Sequence, residues 1–409
     1  MKKNESVSSV VMIVIGIIFC MLCIRFSAAY FSYVFGVFFV FCLYDFYRSR
    51  KERLYFQLYT SQACRYLVVG MALFYGLIIV DNLLIGESKS AVEGMHLAGL
   101  TIPFFMILFL GSRYAIRDGV KWGIMVALAV LDSYGLFVGY TTQQTRFMSV
   151  FVHPNEFAQV IMLVIPFLLY FLAREKDQRV RILLAIICVI SLFCLYKTAA
   201  RGPVVGLFAG AVVAGGSLLW LRREKIQARA LKIAVVVAAA VVLIGGGMFW
   251  QLQSQRTGRG ITGGERIPML YASYEIWNDH KLFGVGLLRW KDYYYSPEYH
   301  PKEGVEKTLA MPHNMPAYFF STTGLLGGLG YTAFMILSLM ALYRQAKESE
   351  DDLLSVAVIT VFWAFFFNGM VNGTLISKTS ARLYFALLGY YFAVNSLSIP
   401  GFLKKDKMS

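Results

Sequence analysis

Apolar residues run along this chain in long unbroken blocks. They do not alternate at every second position, nor do they mark a single narrow helical stripe. The blocks fall at 10–24, 28–47, 66–85, 95–111, 122–140, 157–173, 182–196, 203–221, 233–250, 317–343, 353–373 and 383–399. Each is at or near the roughly 17–25 residues that a helix needs to cross about 30 Å of hydrocarbon. Polar residues gather in the short gaps between blocks and in one long gap, 251–316. The pattern predicts an all-α integral membrane protein of about twelve transmembrane helices. Residues 1–250 would hold helices one to nine, 251–316 a large loop outside the membrane, and 317–409 the last three helices and a tail. The apolar core of the first block is followed by Cys20, Cys23 and Arg25 without a small-x-small pattern, so the block is expected to stay as a span and not be cleaved as a signal peptide.

Composition agrees, with 58% hydrophobic and 15% charged residues. The net charge of +15 would suit a nucleic-acid binder if it were clustered, but its distribution follows membrane topology instead. Most of the 39 basic residues fall in alternate short gaps, among them Arg113, Arg117 and Lys121, then Arg174, Lys176, Arg179 and Arg181, then Arg222 and Arg223. The positive-inside rule makes those gaps cytoplasmic, together with both termini, and leaves 251–316 on the far side. The six cysteines all fall in blocks or inner gaps, so no disulfide is expected to staple the outer loop. Cys20 and Cys23, inside an apolar block, read as packing residues and not as metal ligands.

The polar residues left on the outer side change the picture further. All five histidines are there: His96, His153, His280, His300 and His313. Arg146, Lys197, Arg201 and Arg266 stand within a few positions of a block. A cation that strays into hydrocarbon costs on the order of 2.5–3.5 kcal/mol, so cations kept at such positions imply an anionic partner. Arg201 occupies a short turn followed by Gly202 and Pro203, where a guanidinium beside a free helix N-terminus makes an anion cradle. A snorkelling interfacial arginine is the plainer alternative. Within the long loop, Ile267, Leu270, Tyr271, Tyr274 and Trp277 or Asn278 recur at helical spacing over 266–279, predicting a helix that lies in the membrane interface. Gly284 and Gly286 read as a glycine-permitted bend. His313 ends the loop and precedes a block containing Gly324, Gly327, Gly328 and Gly330, whose small surfaces favour close helix packing. An imidazole of pKa about 6.5 can take a proton from a hydroxyl, although a lone histidine at a helix start is more often a cap or interfacial residue.

These residues together resemble the O-antigen ligases and the O-antigen polymerases that share their C-terminal domain. The family's outer loop ends in His, then Asn, Ser or Gln, nine residues, and Gly-x-x-Gly. His313, Asn314, residues 315–323, Gly324 and Gly327 fit it at every position. TRFMSVFVHPNEFA is similar to the family's R-x-x-G-x-F-x-x-P-N-x-x-A, with Met148 or Ser149 in place of the glycine. YKTAARGP is similar to T-x-S-R-G, with Ala200 in place of the serine. GERIPMLYASYEIWNDHKLFGVG is similar to G-R-x-x-x-W followed by a Gly-Val-Gly turn, with Leu270 near the place of the tryptophan.

The resemblance implies a GT-C-like glycosyltransferase in the bacterial inner membrane, working on its periplasmic face. The implied donor is a glycan on undecaprenyl pyrophosphate, the implied acceptor a hydroxyl of lipid A-core, and neither cofactor nor metal is expected. His313, Arg201 and Arg266 would be catalytic, while Arg146, Lys197, Asn314, Arg289, His153 and Asn155 would bind substrate. An O-antigen polymerase would use nearly the same chemistry on a second lipid-linked unit, and a protein-glycosylating ligase is a third variant. A transporter of lipid-linked sugars would need polar residues at mid-membrane in several helices, for which Asp132, Asn368 and Asn372 are scattered candidates, and internal repeats, which the chain does not display.

Overall fold

The computed structural model describes residues 2–24, 62–224, 266–299 and 309–397, with isolated positions in the gaps between them. The predicted spans at 28–47 and 233–250, and His300, lie wholly or largely outside the described residues. The regular structure of the described residues is entirely helical, without a strand. In chain order they form α1 (Lys2–Cys23), α2 (Gln62–Leu84), α3 (Ser88–Gly99), α4 (Ile102–Gly111), α5 (Arg117–Thr141), α6 (Pro154–Arg174) and α7 (Gln178–Lys197). There follow α8 (Arg201–Leu221), α9 (Arg266–Asp279), α10 (Trp290–Tyr294), α11 (Met315–Glu348), α12 (Asp352–Gly369) and α13 (Lys378–Leu397). Eight spans among them are long and apolar enough to cross a membrane, which makes this a multi-pass membrane protein.

Three predicted blocks differ from what folded. The block at 95–111 begins earlier and breaks into α3 and α4, where Thr101 donates its hydroxyl to Ala98 O and Pro103 opens the second helix. Proline lacks the amide that a continuous helix would need there. The block at 317–343 is one long helix with non-helical backbone at Thr323 and Gly324. The block at 353–373 stops at Gly369, and residues 370–377 form a turn, not a last helical stretch.

The core is built around α13. From Ala381 to Ala393 almost every side chain is fully buried, including Tyr384, Tyr390 and Tyr391. Tyr384 stacks on Phe365 of α12 at 4.1 Å, and Tyr391 shares a hydrogen bond with Ser355. A helix hydrophobic on all sides belongs in the middle of its bundle.

The bundle has two polar ends, separated by the length of α6, about 30 Å at 1.5 Å per residue. At one end Lys121 pairs with Glu175 at 2.5 Å, Arg174 with Asp351 at 2.8 Å, and Arg222 with Asp352 at 2.9 Å. Arg222 also donates to the carbonyls of Ala346, Lys347 and Ser349, so the α8, α11 and α12 termini are tied together there. This is the Arg174 end; the other, the His313 end, gathers the residues singled out by motif.

Candidate functional site at the His313 end

The His-Asn motif folds as the start of α11. Asn314 is its N-cap: the side-chain oxygen accepts from Ala317 N at 2.9 Å, while Nδ2 donates to Met370 O at 3.0 Å. An N-cap of this kind satisfies one of the amides that a helix start leaves open. Pro316 in the first turn removes another. His313, just ahead of the cap and half-buried, has φ of 51°. Left-handed backbone in a non-glycine residue costs on the order of 1–3 kcal/mol and persists where its surroundings over-determine it.

Eleven residues after His313, Gly324 ends the first part of the helix with φ 55° and ψ −151°, a conformation open to glycine alone. The bend at 281–286 docks into this break. Val285 N and Gly286 N donate to Ser321 O and Thr322 O, and Leu325 N donates to Lys281 O at 2.8 Å. A Cβ on Gly324 would lie 2.3 Å from the Leu282 carbonyl, and one on Gly284 would lie 2.4 Å from the Thr322 backbone. Gly324 and the Gly-Val-Gly turn, far apart in sequence, are therefore two sides of one backbone joint. Sequence reading treated them separately, as helix packing and as a bend. The joint satisfies carbonyls and amides that an interrupted membrane helix would otherwise leave open.

The segment TRFMSVFVHPNEFA folds over the same end. Ser149 has φ 54° and gives its hydroxyl to Leu131 O, so it is Ser149, not Met148, that stands at the left-handed position where the family pattern has glycine. Arg146 Nε donates to Thr198 O at 2.9 Å and Nη2 to Asn155 Oδ1 at 3.0 Å. Lys197 sits over the rings of Tyr140, Phe147 and Phe193 at 5.3–5.9 Å, and its carbonyl accepts from Phe147 N. The cation–π contacts hold this ammonium at the membrane boundary without neutralising it.

Arg201 is the first residue of α8, after the tight turn formed by Thr198, Ala199 at φ 50° and Ala200. Ala200 is the N-cap, the place where the family pattern has serine, and it provides no side-chain cap bond. Thr198 Oγ1 substitutes in part by accepting from Ala200 N at 3.2 Å. Gly202 lies against Asn368 and Asn372 at the end of α12 and the turn after it. Arg146, Asn155, Lys197, Arg201, His313 and Asn314 are thus gathered by contacts among the 144–155 segment, the 197–202 turn, the start of α11 and the 368–374 turn.

Other predicted residues stand differently. Arg289 is held by Glu87 at 2.6 Å and Asp292 at 2.9 Å, pinning the loop to the start of α3, with Leu287 N and Leu288 N donating to Asn82 and Ser90. His153 is exposed at the N-cap of α6 and gives no cap bond. Arg266 opens α9, whose buried face is Met269, Ala272, Ser273 and Ile276 against α11 and α10; Trp290 Nε1 donates to Ser273 Oγ at 2.9 Å. The outer face of α9 shows Ile267, Leu270, Tyr271 and Tyr274, the residues that the spacing marked for the membrane interface. Asn368 and Asn372, weighed from the sequence only as mid-membrane polar residues of a transporter, also stand at this end, because two asparagines in an apolar block carry no signal of what they face.

No curated protein matches the chain. A family model described as O-antigen ligase matches residues 186–332, from within α7 to within α11. That stretch contains Lys197, Arg201, Arg266, Arg289, His313, Asn314 and the Gly324 joint. The resemblance to the O-antigen ligase family, first read from the motifs, is borne out over residues 186–332.

Proposed function

We propose that this protein is an O-antigen ligase of the bacterial inner membrane, with its termini in the cytoplasm and the His313 end facing the periplasm. It moves a glycan from undecaprenyl pyrophosphate to a hydroxyl of lipid A-core. The observation that carries this reading is the His313 end itself, where a strained histidine beside a capped helix shares a turn network with Arg201, both inside the matched stretch, and with Arg146 ahead of it.

In the proposed reaction the bond between the anomeric carbon and the pyrophosphate oxygen breaks while a bond from that carbon to the acceptor oxygen forms. The acceptor proton goes to the His313 imidazole, and the electron pair of the broken bond goes to the pyrophosphate. Attack from the opposite face inverts the anomeric centre. Arg201 and Arg266 stabilise charge that grows on the leaving group, so they act more strongly on the transition state than on the ground state. Arg146, Lys197, Asn155, His153 and Asn314 supply the surrounding surface for donor and acceptor. The apolar outer face of α9 suits contact with lipid.

The test is transfer by purified protein given undecaprenyl-pyrophosphate-linked glycan and lipid A-core, run beside His313→Ala. Glycan on lipid A-core, lost in the variant, is the expected result. Longer lipid-linked glycan in place of that product would make the enzyme a polymerase. An untouched donor, with the glycan found on the other side of a vesicle, would make the protein a transporter.

A further inference from the structure

Three asparagines form one hydrogen-bonded line under the His313 end. Arg146 donates to Asn155 Oδ1 at 3.0 Å, Asn155 Nδ2 to Asn372 Oδ1 at 3.3 Å, and Asn372 Nδ2 to Asn368 Oδ1 at 2.7 Å. Every donor points the same way, away from Arg146. Asn368 is fully buried and Asn372 is 4% exposed.

The line touches the elements that carry Arg146, Arg201 and His313. A Cβ on Gly202 would lie 2.7 Å from both Asn368 Oδ1 and Asn372 Nδ2, so the two amides fill the space that glycine leaves at the start of α8, next to Arg201. Met370, between the two asparagines, accepts from Asn314, the neighbour of His313. Gly373 packs against Met311 on the strand of chain leading to His313. Asparagines between membrane helices often act only as glue. Glue would need one pair across one interface, whereas this line crosses from α6 to the 370–374 turn and ends on α8 and α11.

We propose that Asn155, Asn372 and Asn368 form a positioning line that holds Arg201 and His313 in register with Arg146. Its effect on rate rests on the transfer reading above; its mechanical part does not. Buried amides with few other partners have discrete arrangements, so removing one link shifts both helix starts together and does not merely soften one of them. None of the three asparagines is assigned to the reacting atoms.

Two readouts on the full chain in detergent test it. Hydrogen exchange is followed in Asn372→Ala at residues 201–205 and 313–317. The line predicts that exchange rises by roughly fivefold or more in both stretches and stays unchanged around Glu175. In transfer kinetics kcat falls by about tenfold to a hundredfold while KM for the lipid-linked donor moves by no more than about twofold. Gly202→Ala pushes the same amides apart with one methyl group and serves if Asn372→Ala does not fold. Combined with Asn372→Ala it should cost less than the product of the two single losses, since the methyl then loses one of its close contacts and both changes break the same line.

A rise in exchange confined to one of the two stretches, or in neither, overturns the proposal. So do multiplying losses in the double variant, or a loss confined to KM. If the unaltered protein transfers no glycan at all, the transfer reading fails, and the exchange result alone decides whether the line couples the two helix starts.

Discussion

The two ends of the bundle differ in the groups that hold their cations. At the Arg174 end Lys121, Arg174 and Arg222 each meet a carboxylate from another segment, and those pairs join α5, α6, α8 and α12, with α11 tied in by the Arg222 bonds to its carbonyls. At the His313 end the contacts of Arg146 with Thr198 O and Asn155, and of Lys197 with three aromatic faces, are with neutral groups. Aromatic faces such as those around Lys197 hold a cation by attraction to the ring and add no opposing formal charge, so a cation held in this way can act on an anion that arrives from outside. The first arrangement ties segments of the fold together; in the proposed function the second prepares a surface for an incoming anion. Arg289 shows that the distinction is not one of location, since it lies on the loop near the His313 end and is tied to Glu87 and Asp292.

The largest expected effect is at the backbone joint. Gly324→Ala forces a left-handed residue into contact with the Leu282 carbonyl, and the loop must leave the break in α11. Transfer should be lost and proteolysis within 281–290 should accelerate; a variant with normal activity and an intact loop would show that the joint is dispensable. Arg201→Lys keeps the charge and loses the fork that fits phosphate oxygens. Its rate should fall by about tenfold to a hundredfold at unchanged melting temperature. Full activity would argue that Arg201 only snorkels.

Acid tests the other end. The Lys121 hydrogen bond, with help from the Asp177 amide, lowers the Glu175 pKa from its ordinary value of 4.5 to about 2. A depressed carboxylate stabilises the fold fully above its unfolded pKa and loses that contribution as pH falls through its folded one. The melting-temperature gap between the unaltered protein and Glu175→Gln should therefore hold from neutral pH to about 5 and close progressively below 4.5. A gap independent of pH would remove the pair from the stability of the Arg174 end. The smallest effect is Ala200→Ser, which supplies the missing N-cap of α8 and should stabilise by roughly 0.5–1 kcal/mol with activity intact.

Much of this was legible in the chain. Block length located the described spans, and helical spacing located α9 at 266–279. The His-Asn motif, Arg201 and Arg146 were found by residue type and by their survival against the inward bias of basic residues. Three things were hidden for physical reasons. A glycine inside an apolar block looks the same whether it packs helices or breaks one, so Gly324 gave no sign of its φ. Arg289 and Arg201 look alike in sequence, and only folding brings Glu87 to the first. Asn368 and Asn372 are one helical turn apart, but their importance lies in what they touch across 217 positions of chain, from Asn372 back to Asn155.

The most direct measurement sets the two ends against each other in one experiment: transfer rate and melting temperature of His313→Ala beside Arg222→Ala. His313→Ala should lose on the order of a hundredfold to ten-thousandfold in transfer while melting as the unaltered protein does. Arg222→Ala, which breaks one ion pair and three carbonyl bonds, should melt lower by an amount equivalent to roughly 1–3 kcal/mol while retaining transfer wherever it stays folded. If instead His313→Ala transfers glycan normally, or lowers stability as Arg222→Ala does, the His313 end is structural and the division between the two ends is wrong.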